Sequence, residues 1–108
     1  MRTITVGTSA IQLLHPNANR TRWTLTFTPS SIAAGNTGKI FVGRGFVPIA
    51  TVGDANQGDV LNAGSSIEEK KSYKEDDQPY KGAVWIISDT ASQQITVDEQ
   101  QSDTITPA

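Results

Sequence analysis

Residues 80–88 read Tyr-Lys-Gly-Ala-Val-Trp-Ile-Ile-Ser, an almost unbroken apolar run between turn residues. A run this short with such boundaries is typical of a strand buried on both faces. We expect Trp85 and Ile87 to point into the main core. Val84 and Ile86 then point the other way, because side chains alternate along a strand. This second apolar face needs a cover, either another segment of the chain or another molecule.

Residues 21–28 form the clearest strand, in which Trp23, Leu25 and Phe27 alternate with polar side chains. A period of two excludes a helix. Shorter extended stretches, separated by turn residues every 8–12 residues or so, occur at residues 3–6, 10–14, 39–43, 65–67 and 93–99. We predict an all-β fold, a single small β-sandwich (jelly-roll-like or immunoglobulin-like) of about seven or eight antiparallel strands. A barrel has the same sequence pattern.

The length of 108 residues predicts one domain. We place the β-sandwich domain at residues 1–99 and a polar C-terminal tail at residues 100–108. No internal repeat or linker divides the chain.

Composition excludes several classes of function. The net charge of −2 argues against nucleic-acid binding, which needs a clustered basic face. There is no cysteine, and hence no disulfide or thiolate chemistry. No apolar stretch is long enough to cross a bilayer, and no secretory signal is present. We therefore expect a protein made and folded in the cytosol, with neither nucleic acid nor membrane as partner.

The sequence offers no catalytic motif. Its single histidine, His15, stands before a proline at a strand end, and a general base needs a positioned partner. Residues 54–59 resemble the start of a calcium loop, but Asp59 and Ser65 occupy the positions that require Gly and Glu. We predict no enzyme activity, no catalytic residue, no metal site and no cofactor, and we do not expect a small-molecule substrate.

The second apolar face predicts a contact with other chains, since large exposed apolar patches usually mark interaction sites. It requires that the strands at residues 39–43 and 84–88 are neighbours. The candidate oligomer or partner interface consists of Phe41, Phe46, Val47, Val84 and Ile86. Alternatively, the loop after Val47 or the segment at residues 68–78 folds back and covers this face. The sequence leaves both alternatives open.

The segment at residues 68–78 carries charges of both signs and few apolar residues, which is typical of a solvated loop or hairpin. Tyr73 and Tyr80 lie in or beside it, away from the predicted core faces. We take them, with the nearby acidic residues, as a candidate ligand or partner loop, which comprises Tyr73, Glu75, Asp76, Asp77 and Tyr80.

The order of short elements is similar to that of small phage virion proteins. The elements are Val6-Gly7-Thr8-Ser9-Ala10 with Leu13, Asn19-Arg20 before an alternating strand, Ile40-Phe41-Val42-Gly43, Leu61-Asn62-Ala63-Gly64-Ser65, residues 80–86, and Ile95-Thr96-Val97-Asp98-Glu99. The resemblance covers roughly residues 3–99, and the chain departs from it at residues 32–38 and 68–78. It implies a β-sandwich structural component of a virus particle and offers no catalytic residues.

The resemblance implies a protein that decorates or stabilises a phage capsid, or that forms a head or tail accessory part. Its partners would be itself, as a homo-oligomer, and other virion proteins, and its location would be the virion after synthesis in the host cytoplasm. Residues 100–108 could supply an arm that orders on assembly. The alternative is a carbohydrate- or receptor-binding module of a phage fibre or spike, which would use Tyr73, Tyr80 and the acidic loop.

Overall fold

The computed structural model describes residues 2–70 and 78–101, which contain eight β-strands and no helix. The strands are β1 (Arg2–Val6), β2 (Ile11–Leu14), β3 (Arg20–Phe27), β4 (Ile40–Arg44), β5 (Asp59–Leu61), β6 (Ser66–Lys70), β7 (Val84–Ser88) and β8 (Gln93–Gln101). They form two four-stranded antiparallel sheets packed face to face, so the predicted all-β sandwich is confirmed.

Strand order identifies the type of sandwich. The first sheet has the order β1-β8-β3-β6 and the second the order β2-β7-β4-β5. First and last strands pair, as do second and seventh, third and sixth, and fourth and fifth, all antiparallel. The chain is thus a long hairpin wound into two layers. This is the jelly-roll arrangement of eight strands, one of the two sandwich types expected from the sequence.

The core lies between the two sheets, and β3 supplies its largest side chains. Trp23, Leu25 and Phe27 are fully buried, as their alternation predicts. Ile95 and Val97 of β8 join them, also as predicted. The residues between them face solvent on the outer side of the first sheet.

The expected orientation of β7 is wrong. Val84 and Ile86 are fully buried in the core, whereas Trp85 and Ile87 are half-buried on the outer face. A run that is apolar at every position carries no alternation, so its two faces are indistinguishable from sequence. Gly43, which has no side chain, is the cross-strand partner of Trp85 in β4.

Two boundaries also differ from the sequence prediction. Strand β8 extends to Gln101 and pairs with β3 along this length, so Gln100 and Gln101 belong to the sandwich and not to a tail. Residues 68–70, expected in a solvated loop or hairpin, lie in β6 at the edge of the first sheet. An edge strand can present charged side chains on one face. The charged residues of β6 therefore do not prevent this strand from pairing.

Candidate functional site

The predicted interface is only partly on the surface. Phe41, Val84 and Ile86 have no exposed area, and the expectation that they form an external patch is wrong. Val84 and Ile86 belong to the core. Phe41 does lie on the outer face of the second sheet, where its cross-strand neighbours are Val60 and Ile87.

The segment between β4 and β5, residues 45–58, covers part of this outer face. Gly43 lies beneath it, because a Cβ there would overlap the carbonyl oxygen of Phe46 and touch the ring of Pro48. Pro48 is itself buried. Phe41, on the same face as Gly43, is thereby removed from solvent. The fold-back of the loop after Val47, one alternative left open by the sequence, is correct.

This segment, hereafter the apolar loop, turns large hydrophobic side chains outward. Phe46 is 40% exposed, Val47 51%, Ile49 42% and Val52 62%. Among the described residues, Ile32 is the one other large hydrophobic side chain with such exposure. Phe46 and Val47 are thus surface residues, as predicted. Ile49 and Val52 extend the surface.

Hydrogen bonds give the apolar loop a defined conformation. The amide of Ile49 donates to the carbonyl of Asn56 at 2.9 Å, and the amide of Gly53 donates to Gln57 Oε1 at 2.7 Å. Asp54 Oδ1 accepts from the amide of Asn56 at 2.9 Å. A loop already held in this way loses little conformational entropy when it binds a partner.

Charged groups fasten the base of the apolar loop. Arg44, just before it, forms ion pairs with Asp59, just after it, and with Glu69 of β6, whose Oε2 lies 2.6 Å from the Arg44 Nε. The guanidinium also stands 5.6 Å from the centroid of the Trp23 ring. Burial alone would lower the pKa of Arg44, but its hydrogen bonds to Asp59 and Glu69 raise that pKa above its usual value. The guanidinium remains charged and ties the two sheets together at this end.

Tyr80 takes part in structure and is not a free aromatic. Its amide donates to Glu69 Oε1 at 2.7 Å, its carbonyl accepts from Arg20, and its side chain packs against the core. The contacts of Tyr80 are thus structural, and its role as a binding residue stays a prediction. Tyr73, Glu75, Asp76 and Asp77, the other members of the predicted ligand loop, lie outside the described residues.

Arg20 is fully buried, which sequence analysis did not predict. Its Nε lies 2.6 Å from Glu99 Oε2, and its two terminal nitrogens donate to the carbonyls of His15, Tyr80 and Gly82 at 2.7, 2.7 and 3.1 Å. One side chain thus joins β8 to the ends of two segments of the other sheet. The only signal in the sequence is that Arg20 directly precedes the alternating strand.

A cleft of about 240 Å³ opens beside this cluster, between the edge strands β1 and β2. Its lining consists of Arg2, Gln12, Leu13, Leu14, His15, Pro16, Asn17 and Glu99. Its volume is below the range of about 300–1,000 Å³ that is usual for small-molecule sites. Arg2 Nη2 makes a long contact of 3.5 Å with the Leu13 carbonyl, and Asn17 Nδ2 donates to Gln101 at 2.8 Å.

Within residues 2–70 and 78–101, no group of three or more His, Cys, Asp or Glu side chains is placed to hold a metal ion. In the same ranges, no helix is long and apolar enough to cross a membrane. Asp59, part of the incomplete calcium-loop pattern, is engaged by Arg44. Comparison with protein-family models, curated proteins and solved structures finds no match.

Proposed function

We propose that this chain is a structural protein of a virus particle that assembles with copies of itself and with other particle proteins through the apolar loop. The observation that carries the proposal is the outward position of Phe46, Val47, Ile49 and Val52 on a hydrogen-bonded loop. A soluble domain with no such contact would gain nothing by presenting four large hydrophobic side chains together.

Charge supports self-contact at this surface. The apolar loop carries one carboxylate, Asp54, and no basic residue. When two such loops meet across a twofold axis, the two Asp54 carboxylates are the single pair of like charges that repel each other. Asp54 is also half-buried within its own loop. We therefore take a second copy of this chain as the first occupant of the surface.

The strength of such a contact fits a repeated lattice. Full burial of one side chain of this size is worth about 1.5–3 kcal/mol, so the half-exposed set of four contributes about 3–6 kcal/mol per copy. Association costs about 4–15 kcal/mol. An isolated pair is thus weakly bound, whereas many such contacts in one particle hold each subunit firmly.

The jelly-roll strand order is consistent with this role, since viral capsid proteins use that architecture. Lectins and cupins use it as well, so the fold supports the proposal by analogy only. The particle, reached after synthesis in the host cytoplasm, is the location that the proposal implies.

Sedimentation velocity of the full chain up to about 1 mM, a range that detects association of about 4 kcal/mol, tests the proposal. We expect concentration-dependent association that Val52→Lys weakens. Ile32→Lys is the matched control, because Ile32 is 79% exposed outside the apolar loop. A monomer at every concentration, or equal loss of association in both variants, would overturn the proposal.

A further inference from the structure

We infer that the cleft between β1 and β2 receives residues 102–108 of a second copy of this chain. The inference rests on the self-association of the proposed function, but it concerns a different surface from the apolar loop. It would give each subunit two separate contacts, which is what a continuous assembly needs.

The first argument is the edge of β8. Arg2, the first residue of β1, lies opposite Val97, whereas β3 remains paired with β8 as far as Gln101. In the described ranges, residues 99–101 therefore have a neighbouring strand on one side only. An open edge of this kind offers backbone N–H and C=O groups to an added strand. The cleft lies directly beside it, with Glu99 in its lining.

The second argument is the sequence that follows β8, Ser-Asp-Thr-Ile-Thr-Pro-Ala at residues 102–108. Its Thr-Ile-Thr centre has high β-propensity. Pro107 lacks an N–H and suits the end of an added strand. The composition of this segment therefore suits one short added strand that ends at the proline.

Side-chain alternation matches this segment to the cleft. The odd-numbered residues of β8 from Gln93 to Val97 are the buried ones. In an added strand that continued this alternation, a partner's Ile105 would face the same side as the buried odd-numbered residues and would enter the cleft beside Leu13, Leu14 and Pro16. A partner's Asp103 would then face the same side, and its charge is opposite to that of Arg2.

A second copy supplies this strand more simply than the same chain does. The added strand must run antiparallel to β8, as β1 does. The chain's own segment follows β8 directly and would need a reversing turn before it could pair antiparallel with β8. A copy related by a twofold axis presents its segment antiparallel without a turn, and each segment fills the other copy's cleft.

Ile105→Asp in the full chain tests the inference by sedimentation velocity, with Ile32→Asp as control. We expect Ile105→Asp to weaken association and Ile32→Asp to leave it unchanged. If Ile105→Asp has no effect while Val52→Lys dissociates the protein, this inference falls and the proposed function stands. If Ile105→Asp weakens association and Val52→Lys does not, the contact through residues 102–108 is supported and the apolar loop is not the contact.

Cross-linking distinguishes the two sources of the strand, because the chain has no cysteine of its own. His15→Cys and Thr106→Cys chains are mixed and treated with a short bis-maleimide reagent. We expect a product with the mass of two chains that neither variant forms alone. Cross-linking only within one chain that carries both cysteines, or no cross-link in either experiment, would overturn the inference.

Discussion

Replacement of Arg20 by methionine should remove a large part of the stability of this fold. Methionine keeps most of the volume and length of the side chain but has no donor. The substitution leaves the carbonyls of His15, Tyr80 and Gly82 without the guanidinium that now reaches them, and it leaves Glu99 without its cation.

The magnitude follows from burial. Removal of one partner from a buried ion pair typically costs about 3–5 kcal/mol, because the remaining polar groups lose their compensation. Arg20 is 0% exposed and makes four hydrogen bonds, which places it in this range. Glu99 is 31% exposed in its side chain, and an amide at that position still accepts from Arg20. Glu99→Gln leaves the buried guanidinium without its counter-charge, but all four hydrogen-bond acceptors remain, so it should cost less than Arg20→Met, about 1–3 kcal/mol.

Urea unfolding followed by tryptophan fluorescence measures both variants, since Trp23 is fully buried and Trp85 half-buried. For a domain of this size, the expected loss in Arg20→Met corresponds to a fall in Tm of at least about 12 °C. A loss below about 1 kcal/mol for Arg20→Met, or equal losses for Arg20→Met and Glu99→Gln, would refute the view that this cluster holds the sheets together.

Two further substitutions test the loop and the core. In urea unfolding, Gly58→Ala should cost about 2 kcal/mol more than Gly53→Ala. Both glycines have positive φ, but only at Gly58 would an added Cβ overlap the Val42 carbonyl. Equal costs would contradict this close approach. Val84→Lys should lower the free energy of unfolding by more than about 4 kcal/mol because it buries an unpaired charge. Val52→Lys should leave the unfolding midpoint nearly unchanged. A stable Val84→Lys protein would contradict the orientation of β7.

The sequence predicts the fold wherever polar and apolar residues alternate. In β3, Trp23, Leu25 and Phe27 alternate with Arg22, Thr24 and Thr26, and only one orientation buries all three. The β7 run offers no such contrast, and its orientation is set by tertiary packing, in which Val84 and Ile86 join the core. Single-strand patterns therefore predict which segments are strands better than which face is inside.

In the candidate site, too, local sequence patterns are predictive and tertiary contacts are not predictable. Phe46 and Val47 are predictable as surface residues because glycine and proline bracket them. The burial of Arg20 is not predictable, because its acceptors come from segments far apart in the chain. The position of Tyr80 after a charged segment predicts a free side chain, but its amide donates to Glu69 of the edge strand β6 and its ring packs against the core.

The nested pairing of strands has a consequence for the way the chain acquires its structure. The β4–β5 pair joins neighbours in the chain, whereas β1 pairs only with β8, at the other end of the fold. Each outer pair closes a longer loop than the pair inside it, and non-local pairing of this kind makes folding slow. During synthesis, β1 leaves the ribosome first and waits longest for its partner. The nascent protein is therefore most exposed to mispairing with other nascent copies until its last strand has been made.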